Sequence, residues 1–272
     1  LVVLVGALAA IVRGISSSIG PVSRKRVAKF ARRQMLFITP DNGNIVIAYL
    51  ATTRRWRAAG LATGLLVSIA WSFGNGFSIN MVQLIAGWFA GAVMAEWRIS
   101  RLPVGTRRAA SLQPRMPEAY VSKAARAVPP VLAVVAVALA LVGGGVQRSG
   151  RTVALPQLVT MAVAALVLTA VGRLVERRIL DRPQPYAAAD VLAADDAIRS
   201  RSLHVLVGAI GALAAYCVVA QLGFLSSAYT DAGTHAAIKA AEVAIWLLGT
   251  LFGRMVGTSP WSVQRPPAVR PA

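Results

Sequence analysis

The sequence predicts an all-α, polytopic membrane protein with six or seven transmembrane helices built as three tandem helical hairpins. Three observations carry that expectation. The chain of 272 residues is 56% hydrophobic and only 14% charged, which is more apolar surface than one soluble core of this size hides. Six apolar stretches approach the roughly 20 residues that cross about 30 Å of hydrocarbon as a helix, and they come in pairs. The formal charge of +19 is concentrated at one end of those pairs.

The first region, residues 1–57, holds a candidate first span followed by a basic segment. Its opening stretch, 1–19, has twelve residues before Arg13 interrupts it. The stretch lacks the positively charged start of a secretory leader, and no small-residue cleavage site clearly follows, so it is not read as a cleaved one. Segment 22–38 is amphipathic. At 100° per residue Lys25, Arg26, Lys29, Arg32 and Arg33 share one arc, with Val27, Phe30, Ala31 and Met35 opposite. A helix of this kind lies in the headgroup plane, where each basic residue near anionic lipid is worth about 1 kcal/mol. The stretch Asp41, Asn42, Gly43 has too few acids for a calcium loop and reads as a turn.

The remaining regions are the hairpins. Residues 58–103 form the first, with spans at 58–73 and 77–97. Residues 104–183 form the second, with a cytoplasmic connection before spans at 128–146 and 155–175. Residues 184–259 form the third, with another such connection before spans at 203–225 and 236–256. The tail, 260–272, contains Pro266, Pro267 and Pro271 and reads as disordered. The outer connections at 74–76, 147–154 and 226–235 are too short for a folded domain.

Charge sets the orientation. Nine basic residues fall in 21–57, seven in 97–127, six in 173–202 and three in 254–272, against only Arg148, Arg151 and Lys239 on the opposite side. By the positive-inside rule the long connections and the C-terminus are cytoplasmic in a multi-pass protein of the cell membrane. This sorting also argues against nucleic acid as the partner that the net charge would otherwise suggest. The scarcity of lysine beside arginine and alanine fits a GC-rich, bacterial genome.

The hairpins carry signs of an internal repeat. Ala48, Tyr49 and Leu50 match Ala119, Tyr120 and Val121 at a spacing of 71 residues, and Gly91, Gly172 and Gly253 are separated by 81 each. Glu96, Arg98, Ile99 and Pro103 recur as Glu176, Arg178, Ile179 and Pro183 at an offset of 80. Charged residues where helices leave the bilayer are often simple interfacial anchors. Repeated at one spacing, Glu96, Arg98, Glu176 and Arg178 become candidates for a cytoplasmic gate closed by pairing between repeats. Glu242 is an acid well inside a span and a candidate ion or proton site, although Lys239, three residues away, is placed to neutralise it. Gly60/Gly64, Gly87/Gly91 and Gly249/Gly253 suit close helix approach, and Gln221 reads as a packing hydrogen bond.

Enzyme signals are missing. His204 and His235 fall on opposite sides of the membrane, the glycines 143–145 lack a following Gly-Lys-Ser/Thr, and the single cysteine, Cys217, lies mid-helix among apolar neighbours. No metal, cofactor or catalytic residue is expected. The leading expectation is a membrane transport component, either a small carrier or a permease subunit. The alternative is a non-catalytic scaffold or assembly factor that recruits a cytoplasmic partner subunit through the basic arc of 22–38.

Overall fold

The computed structural model of the chain describes residues 20–75, 81–100, 108–109, 116–149, 152–185 and 188–258, together with Arg13 and Ser16. The candidate first span and the tail fall almost wholly outside the described residues. Seven α-helices are present among those described: α1 (Arg24–Gln34), α2 (Pro40–Asn75), α3 (Met81–Ser100), α4 (Lys123–Arg148), α5 (Leu155–Asp181), α6 (Ala189–Ser226) and α7 (Ala232–Thr258). A two-residue antiparallel ladder pairs Arg108 with Pro185 and Ala109 with Gln184.

Among the described residues four helices are long and apolar enough to cross a membrane: α4, α5, α6 and α7. Their exposure tells the same story. The apolar window of α6 is 94% buried, whereas those of α4, α5 and α7 are 22%, 28% and 11% buried. Outward-facing Val134, Leu141, Val163, Leu248 and Met255 are all exposed, an arrangement water would penalise and lipid tails accept. The helix α2, which contains the span expected at 58–73, and the helix α3, which covers residues 81–97 of the span expected at 77–97, are not among those four; residues 77–80 lie outside the described residues.

By contacts the chain forms two compact units. One comprises residues 1–121, 177–204 and 259–272, and the other 122–176 and 205–258.

In the first unit α2 runs for 36 residues without a break, so the basic connection before residue 58 continues as helix into the expected span. The residues read as a turn are its first turn. The reason lies just upstream. Thr39 caps the helix, its Oγ1 accepting from the Asn42 N–H at 3.3 Å while Asn42 Oδ1 accepts from the Thr39 N–H at 2.9 Å, a reciprocal capping arrangement. Pro40 then occupies the first helical position, where its missing N–H costs nothing.

Against α2 packs α3, antiparallel and very close. A Cβ on Gly60 would lie 2.2 Å from the Gly87 carbonyl oxygen, one on Gly87 2.3 Å from that of Gly60, and one on Gly91 2.3 Å from that of Trp56. Only glycine permits this backbone contact, as the small-residue spacing predicted.

The helix α1 is shorter than the expected 22–38. It stops at Met35, whose φ of 46° is left-handed, with the Leu36 N–H bonded to the Ala31 carbonyl at 2.9 Å, the pattern of a Schellman stop. Its apolar face is turned to protein. Phe30 joins a buried cluster with Leu36, Val46, Tyr49, Ile99 and Ile198, and Gln34 is buried beside it. Because the helix has ended, Met35 leaves that face and is 58% exposed.

In the second unit, alanines 133, 136, 162 and 165 meet Cys217 and Val218 in one buried cluster. Gln221 Nε2 donates to the Ala136 carbonyl at 2.9 Å and the Leu158 carbonyl at 2.8 Å, tying α6 to α4 and α5. The third glycine pair works in the same unit: a Cβ on Gly249 would meet Ala215 Cβ at 2.4 Å, and one on Gly208 would meet the Gly253 carbonyl at 2.8 Å.

Candidate functional site

The four residues expected to close a gate divide between the two units. Glu96, on α3, is fully buried, and Tyr49 Oη donates to its Oε1 at 3.3 Å. Burial first, and the Glu96 charge second, hold the Tyr49 phenol well above its ordinary pKa, so it stays a donor. Arg98 is exposed. Arg178 stacks on Trp97, the neighbour of Glu96, with its guanidinium carbon 4.2 Å from the ring centroid. In this unit, therefore, the repeated charges are arranged through aromatic residues.

Glu176, on α5, sits in the second unit among direct charges. Its Oε1 lies 2.7 Å from Arg126 Nη2 and its Oε2 lies 3.0 Å from Arg173 Nη1. Arg126 comes from α4, so the carboxylate bridges two helices that are both apolar enough to span. Three and four residues past Arg126 stand Pro129 and Pro130, inside α4. A proline cannot donate to the carbonyl four residues earlier, and for Pro130 that is the Arg126 carbonyl. Arg173 Nη2 donates to this carbonyl at 3.2 Å. Beside the cluster is a cavity of about 20 Å³, bounded by Pro129, Pro130, Thr169, Gly172, Leu206 and Ile210. A space of that size holds one water.

The sequence reading missed two arrangements. The first is a buried network in the first unit. The Arg199 side chain has no exposed surface; its Nε donates to Asp195 Oδ2 at 2.9 Å and its Nη1 to the carbonyls of Ile179 at 2.9 Å and Leu180 at 3.3 Å. Arg182 also pairs with Asp195. Arg199 thus supplies donors to carbonyls that the end of α5 leaves open. The i, i+4 spacing of Asp195 and Arg199 was a visible signal, but their burial was not.

The second is a cleft lined by Arg26, Lys29 and Arg33 of α1, by Arg54 and Arg57 of α2, and by Arg201. Three of the five residues of the basic arc expected to meet lipid, Arg26, Lys29 and Arg33, line this cleft, while Lys25 and Arg32 do not and are exposed. Arg57 lies 5.0 Å from the Trp88 ring centroid. Arg54 Nη1 donates to the carbonyls of Gly20 at 3.3 Å and Pro21 at 3.2 Å.

Glu242 is paired with Lys239 at 2.8 Å, and the carboxylate side chain is 26% exposed. The anticipated intrahelical partner is therefore in place.

No family model, curated protein or solved structure matches this chain.

Proposed function

We propose that the protein is a transport component of the cell membrane, a small carrier or permease subunit. In this reading it has six or seven spans in three tandem hairpins, and its C-terminus is cytoplasmic. The observation that carries the proposal is Glu176 held between Arg126 and Arg173 beside the proline pair of α4. An ion-pair latch joining two candidate spans, set next to a place where the helix lacks its own hydrogen bonds, is the kind of element that takes two discrete positions. Glu176 is the latch, and the segment of α4 around Pro129 and Pro130 is what it releases. Glu96 and Tyr49 form a counterpart in the first unit, with Arg98 and Arg178 as peripheral charges of that unit. Glu242, neutralised by Lys239, is the weaker ion-site candidate.

The test needs no known substrate. Cys217 is the only cysteine and is buried, so Thr169→Cys in a Cys217→Ser background gives a single reporter beside the cavity. Impermeant thiol reagent applied to inside-out vesicles should label it slowly, and about tenfold faster once Glu176→Gln opens the latch. Equal rates with and without Glu176→Gln would remove the latch.

A second reading, a scaffold that recruits a cytoplasmic partner subunit, is favoured by the outward exposure of Lys25 and Arg32 on α1. Affinity purification in mild detergent separates the two. A stoichiometric partner lost in Lys25→Glu with Arg32→Glu supports the scaffold, and a preparation without partners supports the carrier.

A further inference from the structure

The basic cleft of the first unit has the composition of a receptor for an anion. Its volume is about 180 Å³, and six cationic side chains line it: Arg26, Lys29, Arg33, Arg54, Arg57 and Arg201. No carboxylate is among the lining residues. Glu96, which is buried, interacts electrostatically with Arg57 and Arg201. Surface charges of one sign normally spread apart in water; here the fold gathers them from three helices. Two are held in place by other contacts, Arg57 against Trp88 and Arg54 on the Gly20 and Pro21 carbonyls. Burial and then repulsion from Arg26 and Arg55 lower the affinity of Arg54 for its own proton, as expected where positive charge is in excess. Phe30 and Leu50 add apolar surface to the wall.

We infer that this cleft binds a phosphate-bearing anion, with the arginine forks supplying paired donors to the phosphate oxygens and Lys29 a mobile point charge. A single carboxylate or chloride would neutralise too little of the charge; a phosphomonoester or diphosphate carries two or more negative charges and oxygens enough for several guanidinium groups. The phosphate can come from a lipid headgroup or from a soluble compound. The site does not depend on whether Glu176 acts as a latch.

Two exposed pairs on the same helix make the test specific. Arg26 and Lys29 line the cleft, and Lys25 and Arg32 do not. The full chain is placed in phosphatidylcholine nanodiscs and titrated with inorganic pyrophosphate, and in parallel is placed in nanodiscs that also contain phosphatidic acid. Thermal unfolding and native mass spectrometry report binding. A rise in Tm in one arm identifies the source of the phosphate. That rise should require at least about tenfold more ligand in Arg26→Gln with Lys29→Gln, and stay within about twofold for Lys25→Gln with Arg32→Gln. The proposal is overturned if neither arm binds, or if both double variants weaken binding equally, since the effect would then be general surface charge.

Discussion

Arg173 gives the Arg126 carbonyl the hydrogen bond that Pro130 withholds, at 3.2 Å. The same guanidinium reaches Glu176 at 3.0 Å, so the backbone gap in α4 and the charge cluster on α5 are one structure. A break in a candidate span is tolerated when a neighbour satisfies the freed carbonyl.

Removing that donor should cost stability only where the proline makes it necessary. Arg173 is 43% exposed, so Arg173→Gln is expected to destabilise by about 1 kcal/mol. In a Pro130→Ala background, where the helix supplies its own N–H, the loss should be smaller. A double-mutant cycle from chemical unfolding in detergent should show coupling of at least about 0.5 kcal/mol, and strict additivity would mean that the contact carries no energy.

The contact between α2 and α3 should be intolerant of any side chain. Gly60→Ala or Gly87→Ala places Cβ within 2.3 Å of a backbone oxygen, and neither backbone can yield alone; about 3 kcal/mol should be lost. Gly144 and Gly145 meet nothing within 4 Å, so alanine there should be neutral or stabilising by about 0.5–1 kcal/mol. Thermal unfolding of the four single variants provides the comparison.

Arg199 should not be replaceable by lysine. With no exposed surface and with acceptors on Asp195, Ile179, Leu180 and Pro183, it uses the whole fork, which a single ammonium cannot span. Both Arg199→Lys and Arg199→Ala are expected to lose about 3–5 kcal/mol. Rescue by lysine, read as a wild-type unfolding midpoint, would show that charge alone is needed.

Acid should loosen the junction of α2 and α6. Asp190 accepts from Thr39 Oγ1, and that hydrogen bond holds its carboxyl below the ordinary value of 3.8. A depressed folded pKa means the unfolded chain takes up the proton first, so the stabilisation is complete above pH about 4 and is lost as pH falls through the folded value. Asp190→Asn should remove this part of the pH dependence. Unfolding midpoints between pH 6 and pH 3 should therefore fall less steeply in the variant than in the wild type.

Much of the architecture was legible from local rules. The spans expected at 128–146, 155–175, 203–225 and 236–256 lie inside α4 to α7. The glycine pairs mark real close contacts because a missing side chain is a local property with one structural use. The helix starting at Pro40 was also encoded, in Thr39, Pro40 and Asn42, but the Asp-Asn-Gly composition that followed favoured a turn. Composition was the wrong guide because capping depends on which side chain meets which N–H.

By itself the sequence determined that the chain is helical, that at least four helices suit a bilayer, and that its charge is segregated, since hydropathy and helix period follow from neighbours along the chain. It also placed Glu242 beside the lysine that neutralises it. Only the tertiary structure decided that Phe30 faces protein, that Arg199 is buried, that Glu176 rather than Glu96 carries the ion pairs, and that six basic residues share one cleft. Those outcomes depend on which helices meet and at what rotation. A one-dimensional pattern can show which residues share a face, but only packing determines what that face meets.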